Sequence, residues 1–248
     1  MKDKNESILL EVRNVTKSYS IYSTLFQVEI AKKPVLRNIS FSLEYNTSLG
    51  ILGPSGCGKT TLVKIISKIE QSDSGEVLLE GKSINSYSKE EFATKIQMLF
   101  QNPYAMLNPK LSIGFLLKER VKQNFVLTGQ KVDNQIIYSI IYSRINELLE
   151  IARLPKNILN MYPHQLSGGQ RQRVAILMVL SLYPKLVILD EPLSALDISL
   201  QAQMLNFFSE LKEKFKFSYL FITHDKNLAE YFCDKILYMY EDGRYELQ

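Results

Sequence analysis

Gly53-Pro54-Ser55-Gly56-Cys57-Gly58-Lys59-Thr60 is the stretch on which the reading of this chain turns. It fits the pattern G-x-x-x-x-G-K-[ST]. The glycines of that pattern let successive backbone N–H groups turn inward around a polyphosphate, the lysine reaches the terminal phosphates, and the hydroxyl of Thr60 faces a magnesium ion. The flanks suit the pattern. Leu49-Gly50-Ile51-Leu52 is a short apolar run before the loop, and Thr61 to Ile66 reads as an amphipathic helix after it. Two distant segments complete the picture. Leu186-Val187-Ile188-Leu189-Asp190-Glu191 is an apolar run ending in two carboxylates, which suits a buried parallel strand that delivers metal-binding and base chemistry at its C-terminal end. Leu166-Ser167-Gly168-Gly169-Gln170 is a second glycine-rich turn opening a helix, with Ser167 a good N-cap, and therefore a second anion site. One nucleotide needs one phosphate site; this chain offers two.

The 248 residues exceed the usual single-domain size but fit one large domain with an inserted subdomain. At 46% hydrophobic and 23% charged residues the composition is that of an ordinary globular protein. No apolar stretch approaches the ~20 residues of a membrane-spanning helix, and Met1 to Ser7 has no apolar core of a secretion signal. The net charge of +4 comes from scattered lysines, so a solvated surface is expected rather than a nucleic-acid footprint. Cys57 and Cys233 are far apart and lack metal-ligand spacing. Cys57 sits among N–H donors at a helix start, where thiol pKa values fall; it also fits as a small filler of the loop.

Short β-like runs come first: Ile8 to Val12, Val35 to Leu43, Ser48 to Leu52 and Glu76 to Leu79, an antiparallel sheet beside the phosphate-loop core. Tyr22 to Pro34 reads as an extended connection. Asn102 to Pro109 is a turn-rich linker with two prolines. Helical periodicity follows in Ile113 to Asn124 and Asp133 to Ala152, the latter through Ile136, Ile137, Ile140, Ile141, Ile145, Leu148 and Leu149. Strand and helix then alternate: Leu186 to Leu189, Ser199 to Lys214, Tyr219 to Thr223, Asn227 to Phe232 and Lys235 to Tyr240. That order implies a parallel sheet with helical crossovers.

In this order and spacing the motifs resemble those of the ATP-binding cassette (ABC) ATPases over essentially the whole chain. Gly53 to Thr60 resembles the family's Walker A loop, Leu166 to Gln170 its signature, and Leu186 to Glu191 its Walker B strand with the catalytic glutamate. Ser194-Ala195-Leu196-Asp197 resembles the D-loop. Gln101, after Ile96 to Phe100, resembles the Q-loop glutamine, and His224, after Tyr219 to Thr223, the switch histidine. Tyr19 sits where the family places an aromatic ring against adenine. If the ring does the work, loss of its hydroxyl is expected to be nearly silent.

The resemblance implies an α/β fold: a P-loop NTPase core with an N-terminal antiparallel β subdomain and an inserted helical subdomain. The implied boundaries are 1–101 and 181–248 for the core and 102–180 for the helical part. ATP and Mg2+ are the implied ligands. Nucleotide contacts would come from Tyr19, from Gly53, Pro54, Ser55, Gly56, Cys57, Gly58, Lys59, Thr60 and Thr61, and from Ser167, Gly168, Gly169, Gln170 and Asp197. Metal contacts would come from Thr60, Gln101 and Asp190. Catalysis would rest on Glu191, His224, Gln101 and Lys59. Glu191 is expected to polarise water because its carboxylate lies one residue beyond the metal aspartate, on the opposite side of an extended chain. Its bland reading is a helix-start carboxylate.

In the family the signature meets the γ-phosphate held by another subunit's Walker A loop. A second cassette, identical or homologous, is therefore implied. So are two integral membrane permease subunits that dock on the helical insertion, and indirectly a substrate-binding protein, all served from the cytoplasmic face of the membrane. Gln101-Asn102-Pro103-Tyr104, Leu107-Asn108-Pro109, Tyr162-Pro163-His164-Gln165 and Cys233-Asp234-Lys235-Ile236 resemble the peptide and nickel importer branch. The cargo could then be nickel or other metal chelates, or short peptides. Leu177-Met178 departs from the small and basic residues usual there. Tyr104 and Leu107 are candidates for a partner-filled groove, or for packing of the insertion. A soluble ATPase acting on DNA or ribosomes is a competing reading. Lys59 and Ser167 lie 108 residues apart, which leaves no room for a long coiled-coil arm, and only one cassette is present. A cassette that binds without hydrolysing is opposed by Lys59, Asp190, Glu191 and His224, and an exporter by the lack of fused membrane helices.

Overall fold

The computed structural model describes residues 7–22, 29–99, 106–129, 133–194 and 196–248. They form two compact units, one from the residues up to Tyr87 together with Ser218–Gln248, the other from Ser88–Phe217.

In the first unit, strands β1 (Ile8–Tyr22), β2 (Glu29–Glu44), β4 (Ser74–Leu79) and β5 (Lys82–Ser83) make an antiparallel sheet in the order β2-β1-β4-β5. Leu10, Val12, Val15, Ile39, Phe41, Val77 and Leu79 supply its buried apolar side chains. Asn14 and Asn38 take positive φ of 48° and 50° beside register shifts in β1, a backbone that asparagine tolerates.

The expected connection Tyr22 to Pro34 is corrected here. Residues 29–34 belong to β2, with Lys33 opposite Tyr19, Lys32 opposite Ser20 and Ala31 opposite Ile21. Ile30 to Pro34 are exposed, so the segment carries no apolar alternation and only ladder hydrogen bonds mark it as strand. Pro34 fits because β2 is an edge strand. The remainder of that connection, residues 23–28, lies outside the described residues.

The same unit holds β3 (Ser48–Leu52), β8 (Ser218–Thr223), β9 (Lys235–Met239) and β10 (Tyr245–Leu247), ordered β10-β9-β3-β8. β3 runs parallel to β8 and to β9, while β10 returns antiparallel. Every residue of β3 and β8 is buried, which explains why both read as unbroken apolar runs. Helix α1 (Lys59–Ile66) follows β3, and α7 (Lys226–Phe232) is the crossover from β8 to β9. Phe232 packs on Tyr219 and Phe221 with ring centroids 5.3 and 5.2 Å apart. β10 is too short to have announced itself.

The second unit contains the parallel pair β6 (Ile96–Leu99) and β7 (Leu186–Asp190). Its helices are α2 (Lys89–Lys95), α3 (Ile113–Leu127), α4 (Asn134–Ile151), α5 (Gly168–Leu180) and α6 (Ile198–Phe215). α2 went unread in the sequence although Ser88 caps it and Glu90 and Glu91 fill its first turn. In α4 the expected stripe is only half realised. Ile141, Ile145, Leu148 and Leu149 are buried, whereas Ile136 and Ile140 are exposed. Leu107 is 3% exposed, so of its two readings packing of the unit prevails; Tyr104 lies outside the described residues. Among the described residues no helix is long and apolar enough to cross a membrane.

Candidate functional site

The phosphate-loop half of the site is assembled by the first unit. β3 delivers the loop, and the register places Leu52 opposite Thr223. Gly53 and His224 therefore leave the sheet side by side at the C-terminal end of parallel strands, where α/β sheets bind ligands. A Cβ on Gly53 would lie 2.4 Å from the Met239 carbonyl oxygen, so only glycine lets the loop start there. Gly58 has φ 105° and no room for a methyl between Leu36 and Val35. Lys59 is buried, its Nζ donating to the carbonyl oxygens of Gly53 and Pro54 at 2.7 and 2.9 Å. The ammonium is thus held at the mouth of its own loop.

α1 begins at Gly58 without a side-chain cap. By contrast α2, α3, α5, α6 and α7 are capped by Ser88, Ser112, Ser167, Asp197 and Asp225. The first N–H groups of α1 are the ones left for an anion. Thr60 is exposed in that first turn, Thr61 is half-buried, and Ser55 and Gly56 are exposed at the loop crest. Cys57 is a buried free thiol. Tyr19 comes to the loop from β1: its hydroxyl oxygen is 3.4 Å from Thr61 Oγ1 and donates to Glu70 at 2.8 Å. Burial first, opposed by the bond to Thr61 and aided by Glu70, raises its pKa above the ordinary phenol value. His224 is exposed after β8, and Asp225 behind it caps α7 by accepting from the amides of Asn227 and Leu228 at 2.8 and 3.3 Å.

The second unit carries the remaining residues. Ser167 and Gln170 form a reciprocal cap: Ser167 Oγ accepts from the Gln170 amide at 3.3 Å and Gln170 Oε1 from the Ser167 amide at 3.0 Å. The signature glutamine thus fixes the helix start. Among the described residues a Cβ on Gly168 would meet nothing within 4 Å, and one on Gly169 only Leu200 at 3.8 Å, so none of them requires glycine at either place. Asp190 ends β7, and Leu189 pairs with Leu99 of β6. Gln101 and Ala195 lie outside the described residues. Asp197 serves as the N-cap of α6, accepting from the Leu200 amide at 2.9 Å.

Glu191 differs from expectation. The chain does not continue extended after Asp190; Glu191 takes φ 46° and opens a turn in which its carbonyl accepts from Ser194 N at 3.3 Å and Oγ at 3.1 Å. Strained backbone of this kind persists only where its surroundings enforce it. Sequence reasoning missed two residues that bond the turn following Glu191: Gln172, whose Nε2 donates to the Pro192 carbonyl, and Gln201, whose Nε2 donates to those of Leu193 and Leu196. The signal for Gln172 was present, a polar residue on the same helical stripe as buried Ala175, Ile176 and Val179.

No group of three or more His, Cys, Asp or Glu able to hold a metal exists among the described residues. The Thr60 hydroxyl and the Asp190 carboxylate are oxygen donors of the kind Mg2+ takes, one or two from a protein alongside substrate phosphates.

The family model described as ABC transporter matches residues 36–194. The oligopeptide transport ATP-binding protein AppF of Bacillus subtilis is 37% identical over 251 aligned residues, spanning 100% of this chain and 74% of that protein. The di/tripeptide transport ATP-binding protein DppF of Pseudomonas aeruginosa is 36% identical, spanning 94% of this chain and 70% of its own. Among solved structures, cbiO1 from Clostridium perfringens, part of the ABC transporter complex cbiONQ, superposes with TM-score 0.78 at 26% identity, over 98% of this chain and 88% of that one. The ATP-binding cassette MJ0796, solved as a dimer in a post-hydrolysis state with ADP and Pi, gives 0.74 at 28% identity over 96% and 98%.

Proposed function

Because the chain belongs to the ABC transporter family, we propose that it is the ATP-hydrolysing subunit of an importer of short peptides fed by a substrate-binding protein. The observation that carries the reading is likeness over the whole chain to a named oligopeptide transport ATPase, joined to an uncapped phosphate-loop helix with a buried lysine at its mouth. The nickel option of the motif wording has no comparable support in the relatives described above, which are named for peptides.

In this reading the amides of Gly56 to Thr60 and the Lys59 ammonium take the β- and γ-phosphates. Tyr19 lies against adenine, and Thr60, Asp190 and Gln101 hold Mg2+, which when bound neutralises charge on the phosphates. Glu191 accepts a proton from the attacking water, and His224 contacts the γ-phosphate. Ser167 and the amides of Gly168 and Gly169 reach the γ-phosphate bound by a second cassette, identical or homologous; the open space above Gly168 supports such a close approach. Asp197 belongs to the same interface. Residues 102–180 act as the helical subdomain, since α3, α4 and α5 lie wholly within them, and 1–101 with 181–248 as the nucleotide core. Two integral membrane permease subunits receive the stroke on the cytoplasmic face.

The test is ATP hydrolysis by the subunit reconstituted with the membrane proteins of its gene neighbourhood and their binding protein. Stimulation by di- to oligopeptide-loaded binding protein is expected. Stimulation by nickel chelates alone would overturn the cargo assignment, and absence of any hydrolysis would overturn the function.

A further inference from the structure

The turn after Glu191 accepts hydrogen bonds from two glutamine amides. Gln172, one turn into α5, is 3% exposed and donates from Nε2 to the Pro192 carbonyl at 2.6 Å. Its Oε1 is buried with no hydrogen-bond partner among the described residues. Gln201, from the first turn of α6, donates to the carbonyls of Leu193 and Leu196 at 3.1 and 3.2 Å. Glu191, which opens the turn they bond, has φ 46°. Burying an amide with half its capacity unmet is unfavourable, and an apolar side chain would fill the same space without that cost. Among the described residues the Gln172 side chain bonds only the carbonyl of Pro192, the residue following Glu191.

We propose that Gln172 and Gln201 are positioning residues that fix the Glu191 carboxylate, and that Gln172 makes the aim of that carboxylate depend on the seat of the signature helix. This rests on the reading of Glu191 as the group that activates water. Ser167 and Gly168 start α5, and Gln172 lies on the same rigid helix. A ligand seated on the helix start and the turn bearing Glu191 are thereby joined through one side chain. A displacement of α5 shifts the Pro192 carbonyl with it. The catalytic carboxylate is then aimed only when the signature is engaged.

The experiment uses the full chain with MgATP, measuring single-turnover hydrolysis, ATP affinity and melting temperature for Gln172→Met and Gln201→Met, each alone and combined with Glu191→Gln. Methionine keeps the volume and removes the donor. Gln172→Met is expected to slow hydrolysis about ten- to hundredfold, the scale of a small misplacement of a reacting group, and Gln201→Met about threefold. ATP affinity should stay within about twofold. In the Glu191→Gln background neither substitution should slow the residual reaction further, because the interaction is no longer there to lose. Turnover of Gln172→Met within about twofold of the parent overturns the proposal, as does a full-sized further loss on top of Glu191→Gln. Should Gln172→Met fail to fold, Gln201→Met decides alone by the same two criteria. If Glu191→Gln itself turns over normally, the reading of Glu191 fails instead, and that outcome is distinct from either.

Discussion

The Tyr19 hydroxyl donates to the Glu70 carboxylate at 2.8 Å, across 51 residues of chain. Lys17 Nζ backs the same carboxylate at 3.4 Å and Asp73 at 3.2 Å, and lies 5.6 Å from the Tyr19 ring centre. The phenol oxygen is also 3.4 Å from Thr61 Oγ1 in the phosphate-loop helix. The ring proposed to face adenine is therefore oriented through its hydroxyl, and the expectation that the hydroxyl is dispensable has to be revised. Tyr19→Phe should weaken ATP binding about two- to fivefold, the worth of one partly exposed hydrogen bond. Tyr19→Ala should cost more, roughly 1–3 kcal/mol, as the stacking surface is lost. Titration calorimetry with ATP measures both; equal affinity for Phe and wild type would return the role to the ring alone.

The glycines of the two phosphate motifs should separate in a melting experiment. Gly58→Ala combines φ 105° with a Cβ 2.9 Å from Leu36 Cδ2 and 3.0 Å from the Val35 carbonyl oxygen. A loss of about 2 kcal/mol or more is expected, with ATP binding lost as well. Gly168→Ala meets nothing within 4 Å in a helical first turn. It should melt with the wild type, yet fail to dimerise in ATP if a partner's phosphate approaches that helix start.

Asp73 predicts a pH dependence. Its carboxylate is held below the ordinary 3.8 chiefly by the Ser18 amide, against the opposing effect of burial, with Lys17 adding to the shift. A depressed carboxylate contributes stability that is fully present above the unfolded pKa and is lost as pH falls through the folded one. Urea midpoints should thus fall less steeply below about pH 4 in Asp73→Asn than in wild type. A parallel decline would mean that this carboxylate contributes nothing to acid stability.

Much of the site was legible because phosphate chemistry constrains neighbours in sequence. Gly53 to Thr60 must curl within eight residues, and Ser167 to Gln170 caps within four. Strands were legible where burial is two-sided, as in β3 and β8, though Ser48 to Leu52 was expected in the antiparallel sheet and instead pairs parallel with β8 and β9. They were not legible where the chain is held by backbone alone: residues 30–34 of β2 are all exposed and show no buried-exposed alternation, and β10 has three residues. Nor could spacing reveal the turn at Glu191. An apolar run ending in two carboxylates is compatible with an extended exit, and the side chains that bond the turn, on α5 and α6, are near it only in space. Gln172 and Gln201 belong to that class.

The last prediction concerns Glu191 directly. Its backbone is constrained at φ 46° whatever the side chain, so Glu191→Gln changes one oxygen to an amide and leaves the turn closed by Ser194 in place. Gln retains the shape and can hydrogen-bond a water but cannot take its proton. Loss of a positioned base typically slows reaction about 10²–10⁴-fold, so the variant should bind MgATP with near-normal affinity and hydrolyse it at that reduced rate. Because bound ATP then no longer decays, a dimer should accumulate on size exclusion in ATP and disperse in ADP. Near-normal turnover would remove Glu191 from the chemistry and leave its strained backbone as a property of the turn alone. Slow turnover without an ATP-dependent dimer would keep the base and reject the shared nucleotide, because hydrolysis would then be complete within one cassette.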